Sequence, residues 1–387
     1  MTDKLPWLAL KSIPGVGPVL FQRLLARFGT PAAVFQARRE ELLAVKGVNP
    51  DLAQDLLTFR AWDRVEAELA KIAAAGIEVL LQDDPCFPAR LQQIPYPPPL
   101  LFIKGSFLPQ DDLALAVVGT RAASYYGLKT CRRLAGALAV RGVTVVSGLA
   151  RGIDTAAHQG ALENGGRTLA VLGCGLDVVY PPENQKLYEQ IPAQGALISE
   201  FPLGTPPEAK NFPIRNRIIS GLALGVVVVE AGLRSGTSIT VRYALDQGRE
   251  VFAVPGPIDS PTSLGPHRLI QDGAKLVQDV DDIIQELPAL KKGQRPLFTA
   301  PARVRETPAA EAGGPTPAEA AAAPPVLTPA PLPEDPLLAL LGSDPLPLEE
   351  LVRVTRLSAS QVLSRLTILE LEGLIRELPG KRYVLEN

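Results

Sequence analysis

The chain has 387 residues, of which 46% are hydrophobic, enough apolar material for two or three domains with at least one large core and too much for a disordered polymer. A formal charge of -2 excludes an overall polycation, so any nucleic-acid partner must be read from local charge. Three cysteines (Cys86, Cys131, Cys174) and two histidines (His158, His267), none at metal-ligand spacing, exclude a structural zinc site and a disulfide framework, and neither a metal nor a cofactor is expected.

The opening residues, MTDKLPWLALKSIPG, lack a basic region followed by a long apolar core and a small-residue cleavage site. No apolar run reaches the roughly 18 residues needed to span a bilayer, which predicts a cytoplasmic protein with no membrane segment. Residues 1–75 carry helical spacing, with Leu8, Leu10, Val19, Leu20, Leu24 and Leu25 interrupted by IPGVGP at Ile13–Pro18 and an echo, AVKGVNP, at Ala44–Pro50. This predicts two helical hairpins in tandem. Their turns either present N–H groups to a duplex phosphate, with Lys11, Arg23, Arg27 and Lys46 nearby, or pack against the next domain.

From Gly76 to Leu287 the texture changes to short β-rich runs ending in turn residues, interleaved with helical patterns: IEVLLQDD, LALAVVGT, TVVSGLA, TLAVLGCG, GVVVVEAG and VFAVPG. Such alternation predicts an α/β fold with a parallel sheet covered by helices on both faces. Residues 288–333, rich in proline and alanine, read as a semi-rigid linker. Residues 334–387 show three helical patterns followed by LIREL, a Pro-Gly turn and RYVLEN, the order of a winged helix-turn-helix, with Ser358 as N-cap of the third helix. That helix carries Arg365 but also Glu370 and Glu372 in a net acidic tail, which favours a protein contact over major-groove reading.

Ser147, Gly148 and Gly152 sit where an apolar strand hands over to a helix beginning near Asp154, a geometry that aims backbone N–H groups at an anion. The loop is neither G-x-G-x-x-G nor G-x-x-x-x-G-K-[ST], and no acidic residue follows near position 168 to take a ribose hydroxyl. Taken alone, its glycines need only be tight turns. Three further strands end alike, delivering Arg121, then Gly173 and Gly175, then Gly236 and Thr237 to the one sheet edge where ligands bind. So many loops suit an extended polyanion, and cations gather there: Arg121, Lys210, Arg215 and Arg217. AKNFPIRNRIISG interleaves Lys210, Phe212, Arg215, Asn216 and Arg217, placing phosphate-binding cations beside an aromatic face that either stacks on a base or belongs to the core.

Together, GTRAASYYG, SGLARGIDTAAHQGAL, YPPEN, SEFPLGTPPEAKNFPIRNRIISGLA, VVVVEAGLRSGTSITVRYALDQGREVFAVPG and SLGPHRLIQDGA closely resemble the DprA (Smf) DNA-processing family over about residues 80–285. The flanking segments resemble its accessory domains. The resemblance implies an extended Rossmann-like domain between an N-terminal helical (helix-hairpin-helix, SAM-like) domain and a C-terminal winged-helix domain. It further implies a homodimer that binds and protects single-stranded DNA and loads the RecA recombinase in natural transformation. By the same resemblance Arg121 contacts phosphate, the loop from Ser147 through Gly148 to Gly152 supplies backbone donors, and Lys210 with Phe212 holds adjacent nucleotides; Arg215 and Arg217 either join them or structure the loop. Ala223 stands where the family more usually has serine, a local packing matter.

An enzymatic alternative rests on GLRSGTSIT, which resembles the PGGxGTxxE loop of lysine-decarboxylase-like phosphoribohydrolases. Aligning Gly236 and Thr237 with that GT puts Thr240 where the catalytic glutamate should be, which removes the carboxylate. Asp154 and His158, four apart, are read as a helix cap and a satisfied buried histidine rather than an acid–base pair. Glu230 is read as a loop-ordering acceptor and Cys174 as a packing residue. The reading reached is a non-enzymatic single-strand DNA-binding protein, with a nucleotide-processing Rossmann enzyme as the alternative and a transcriptional adaptor third. LGPHRLIQDGAKLV is a candidate dimer surface that also fits a buried helix.

Overall fold

The computed structural model describes residues 3–233, 235–292, 346–355, 362, 366, 369, 375–378 and 382–385. They fall into two compact units, residues 1–303 and 304–387. Among the described residues no helix is long and apolar enough to cross a membrane.

The first unit is built on a nine-stranded sheet: β1 (Glu78–Leu81), β2 (Leu100–Gly105), β3 (Ala114–Val118), β4 (Thr144–Ser147), β5 (Thr168–Leu172), β6 (Gly195–Ser199), β7 (Gly225–Val228), β8 (Glu250–Ala253) and β9 (Lys275–Leu276), in the order β1-β2-β6-β5-β4-β3-β7-β8-β9. From β6 to β9 every pairing is parallel, as the alternation predicts. The expectation of a purely parallel sheet is corrected at one edge, where β1 pairs antiparallel with β2 and β2 with β6. Residues 82–99, with one helical turn at Ala89–Gln92, join β1 to β2, and the chain reverses direction between the two strands.

Period-2 alternation divides the strands between two cores. One face of the sheet, with Ala116, Val146, Val171, Ile198 and Val228, packs against Ile218, Ile219 and Leu222 of the Asn211–Leu222 helix and Val241 of the Thr237–Asp246 helix. On the other face Leu115, Val117, Val145 and Val227 meet the helices Tyr125–Val140 and Ile153–Glu163.

Six helices lie between Leu5 and Ala74, and their starts are legible in the sequence: Pro18, Pro31 and Pro50 open three of them, while Thr30 and Asn49 accept hydrogen bonds from Ala33 N–H (3.2 Å) and Leu52 N–H (2.8 Å). The predicted turn at IPGVGP is made with Gly15 at φ +89°. This segment is not detached from the sheet. Trp7, Leu10, Phe21, Leu24 and Ile72 form one continuous core with Leu81, Phe102, Leu172 and Leu197, covering the part of the sheet that the later helices leave bare.

The second unit, taken by itself, has a three-stranded antiparallel sheet in which Arg382–Leu385 lies between Leu346–Pro347 and Ile375–Leu378. The hairpin predicted from LIREL and RYVLEN is therefore present, and Leu351, Val362, Leu366, Leu369 and Tyr383 are buried. Ser358, Arg365, Glu370 and Glu372 lie outside the described residues.

Candidate nucleic-acid interface

The chain runs outward from β3 through β4 and β5 to β6, then returns to β7 on the other side of β3. Loops leaving β3 and β7 diverge there, opening a crevice at the carboxyl edge where doubly wound sheets bind ligands. A cleft of about 590 Å3 lies at that point, with Arg121, Phe212, Arg215, Asn216, Gly236 and Thr237 on its walls.

Its rim is fixed by Glu230, just beyond β7. The carboxylate accepts from Ser124 N–H at 2.8 Å and from the Ser124 hydroxyl at 2.6 Å, and Ser124 Oγ in turn caps the next helix by accepting from Gly127 N–H at 3.1 Å. The Glu230 carbonyl also accepts from Thr120 N–H at 2.7 Å. Glu230 is thus the loop-ordering acceptor expected, and it holds in place the exposed Arg121. The Arg121 guanidinium lies 5.0 Å from the centroid of the half-buried Phe212 ring, whose other neighbours are Tyr180 (5.7 Å, tilted by 40°) and Arg215 (5.8 Å).

Arg215 differs in kind from Arg121. It is buried, donates to the Gly148 carbonyl at 2.7 Å and to the Val171 carbonyl, and faces the buried Asp154. Burial lowers its pKa to about 10, with Asp154 opposing the shift and Arg121 adding to it. Of the two readings left open for Arg215, its placement favours the loop-structuring one over a surface phosphate contact: it is the cation beneath the glycine loop. Gly148 lies so close over the guanidinium that a side chain there would overlap it.

The loop donors are turned the same way. Leu149 N–H donates to His158 Nε2 at 3.3 Å and Ala150 N–H to Asp154 at 3.4 Å, while the buried Ser147 hydroxyl donates to the Val117 carbonyl at 2.6 Å. Gly152, at φ +74°, passes directly against the carbonyls of Thr120 and Arg121, which is why no side chain fits there. The expected open cradle of donors is therefore corrected at Ser147, Leu149 and Ala150, whose polar groups close an internal network and make the loop a rigid wall. Asp154 does not cap from the N-cap position; it lies one residue inside the Ile153–Glu163 helix and reaches back to the loop. Burial raises its pKa, against the pull of Arg215. His158 is the satisfied buried histidine expected: Thr168 Oγ1 donates to the Val145 carbonyl at 2.8 Å, so His158 Nδ1 carries the proton it shares with Thr168 at 2.7 Å, and burial lowers the pKa to about 3.

Arg217 likewise has a structural placement rather than a surface one. It points to the opposite side of its helix and donates to the buried Glu200 at 2.7 Å, with Lys11 3.7 Å from the same carboxylate. Lys11 is therefore not available to a duplex at the hairpin turn, and Arg23 is bonded to the Lys46 carbonyl at 2.9 Å. Lys210 is exposed and ion-paired with Glu208 at 2.6 Å, beside the cleft rather than on its wall. Burial pushes the Cys174 thiol up to about 11, and the thiol faces the Val178 carbonyl at 3.4 Å, so it packs rather than attacks. Thr240 lines the cleft where the enzyme loop would carry its glutamate. The wall residues Thr120, Tyr180 and Ser235 are not singled out by a reading of the sequence, although each lies in a motif segment: GTRAASYYG, YPPEN and GLRSGTSIT.

Residues 78–288, more than half of the chain, match the DNA recombination-mediator protein A family, and residues 317–381 match the DprA winged helix domain. The chain belongs to the DprA/Smf DNA-processing family. Residues 8–59 match a SAM-like helix-hairpin-helix tandem, which completes the three-part architecture read from the sequence. Protein Smf of Synechocystis is 36% identical over 97% of this chain and 97% of its own. DprA of Streptococcus pneumoniae has a crystal structure that is 37% identical and covers 74% of this chain and 98% of its own, with a TM-score of 0.66. A Helicobacter pylori DprA structure, described for its single-stranded DNA binding mode, is 28% identical with a TM-score of 0.50 over 56% of this chain and 96% of its own.

Proposed function

We propose that this DprA/Smf member binds single-stranded DNA in the cleft without transforming it chemically, protects it, and acts as a homodimer that hands it to the RecA recombinase in the cytoplasm. The observation that carries the reading is Arg121 over Phe212: an exposed cation and a half-buried ring, 5.0 Å apart, at the sheet's switch point. In this reading Arg121 neutralises a phosphate, Phe212 stacks on a base together with Tyr180, and Asn216, Gly236 and Thr237 line the path, with Lys210 outside it meeting the next phosphate. Gly148 and Gly152 let the loop pack against Arg215 and against the Thr120 and Arg121 carbonyls, and Arg215 supplies a fixed positive charge below.

The nucleotide-processing alternative is not favoured. Thr240 offers no carboxylate, and Asp154, the one carboxylate on the cleft wall among the described residues, is bonded back to its own loop. For the homodimer, β9 ends the sheet with Leu276 exposed, and Leu264 of LGPHRLIQDGAKLV is exposed as well; in this reading a second copy would cover them.

Fluorescence anisotropy tests the reading. Labelled single strands bind more tightly than duplex of the same length, and affinity falls linearly in log-log form with salt as counterions are recaptured. Absence of single-strand binding, or binding indifferent to salt, would overturn it.

A further inference from the structure

A second cavity of about 620 Å3 opens where the N-terminal helices meet the sheet domain, lined among others by Lys11, Arg64, Glu68, Lys71, Asp177 and Gly204. We propose that this groove is the continuation of the DNA track, in which the N-terminal helices take the backbone phosphates of the strand as it leaves the cleft. The proposal rests on the single-strand reading above.

Two loops join the cavities. The loop after β5 gives Asp177 to the groove and Tyr180 to the cleft; the loop after β6 gives Gly204 to the groove and Pro207 to the cleft. Each pair is three residues apart, a span of at most about 11 Å. The two cavities therefore share walls along one sheet edge, and a strand passing Phe212 and Tyr180 meets the groove next.

The charges fit a polyanion in transit. Arg64 and Lys71 are exposed, on the groove side of the Trp62–Ala74 helix. Lys11 is desolvated by burial, its pKa lowered, and its ion pair with Glu200 is a loose 3.7 Å. The opposing carboxylates are Asp177, whose two oxygens both receive Gly204 N–H at 2.8 Å, and Glu68, a helical turn from both Arg64 and Lys71. With Lys11 paired to Glu200, the exposed cations are Arg64 and Lys71, and of the two lining carboxylates Asp177 is spent on its own loop. The groove thus also gives the helical segment a role that its hairpin turns do not fill, since Lys11 faces the groove instead of the turn.

The test is the full chain carrying Arg64→Ala and Lys71→Ala together, titrated with oligothymidylates of about six and about twenty nucleotides, which fill one binding site and more than one. Binding of the long oligomer is expected to weaken and its salt slope to fall by about 1.4, from roughly 0.7 for each of two phosphates no longer neutralised, while the short one is unaffected. Arg64→Lys with Lys71→Arg should restore the long-oligomer slope. No change on either length, or an equal loss on both, overturns the groove. Failure of the unsubstituted chain to bind the short oligomer would instead strike the cleft reading, so the two are told apart.

Discussion

Arg215→Met separates a phosphate contact from a structural cation. The side chain holds the carbonyls of Gly148 and Val171 and faces Asp154, all in the interior. Its removal leaves two buried acceptors unpaired, at about 1–3 kcal/mol each, and a buried carboxylate without its neighbouring cation. Such losses overlap, and breaking a buried charge pair typically costs about 3–5 kcal/mol in all, a large share of a total stability of about 5–15 kcal/mol. Urea unfolding followed by the fluorescence of Trp7 and Trp62, both of which pack in the first unit, should show a midpoint lower by about 1–2 M. The pH dependence carries a sign. Asp154 is an acid whose folded pKa is raised by burial above its ordinary 3.8, so the native state keeps the proton longer and stability falls as pH rises through that window. Loss of Arg215 raises it further, so the deficit of the variant should be smallest at acid pH and grow toward neutrality. An unchanged midpoint, with only a shallower salt slope for DNA, would refute the structural role and return Arg215 to the surface cations.

Three further outcomes follow from the site. Phe212→Ala should weaken single-strand binding by about 1–3 kcal/mol with little change in salt slope, whereas Arg121→Ala should lower the slope by about 0.7; anisotropy titrations over a salt series distinguish them. His158, neutral when folded down to about pH 3 but protonated below its ordinary 6.5 when unfolded, costs stability as pH falls from 6.5, by up to about 1.4 kcal/mol per unit, and His158→Gln should flatten that part of a stability–pH curve. Glu230→Ala strands the Ser124 hydroxyl and N–H, so thermal unfolding should show a loss of about 1–3 kcal/mol together with weaker DNA binding through a loosened Arg121.

Much of the site is legible as strand-end punctuation. Arg121, Gly236 and Thr237 each follow an apolar run, and parallel strands must bring such ends to one edge. What the sequence conceals is which way an arginine on a buried helix turns. Within NFPIRNRIISG, Arg215 and Arg217 are two residues apart and so face different surroundings, one toward the glycine loop and the other toward Glu200, and only the position of the sheet reveals that neither is free. The inward turn of the loop amides is hidden for the same reason, because their acceptors, Asp154 and His158, belong to the next helix. Strands β2, β6 and β9 are the ones the sequence hides, and β9 is only two residues long.

The core shared between the N-terminal helices and strands β1, β2, β5 and β6 makes this chain less interchangeable than its three-part sequence suggests. A version starting at the change of texture near Gly76 would bare Leu81, Phe102, Leu172 and Leu197 to water, and exposed apolar surface of that kind is self-adhesive. The helices and the sheet thus have to be kept together unless a substitute roof takes the helices' place.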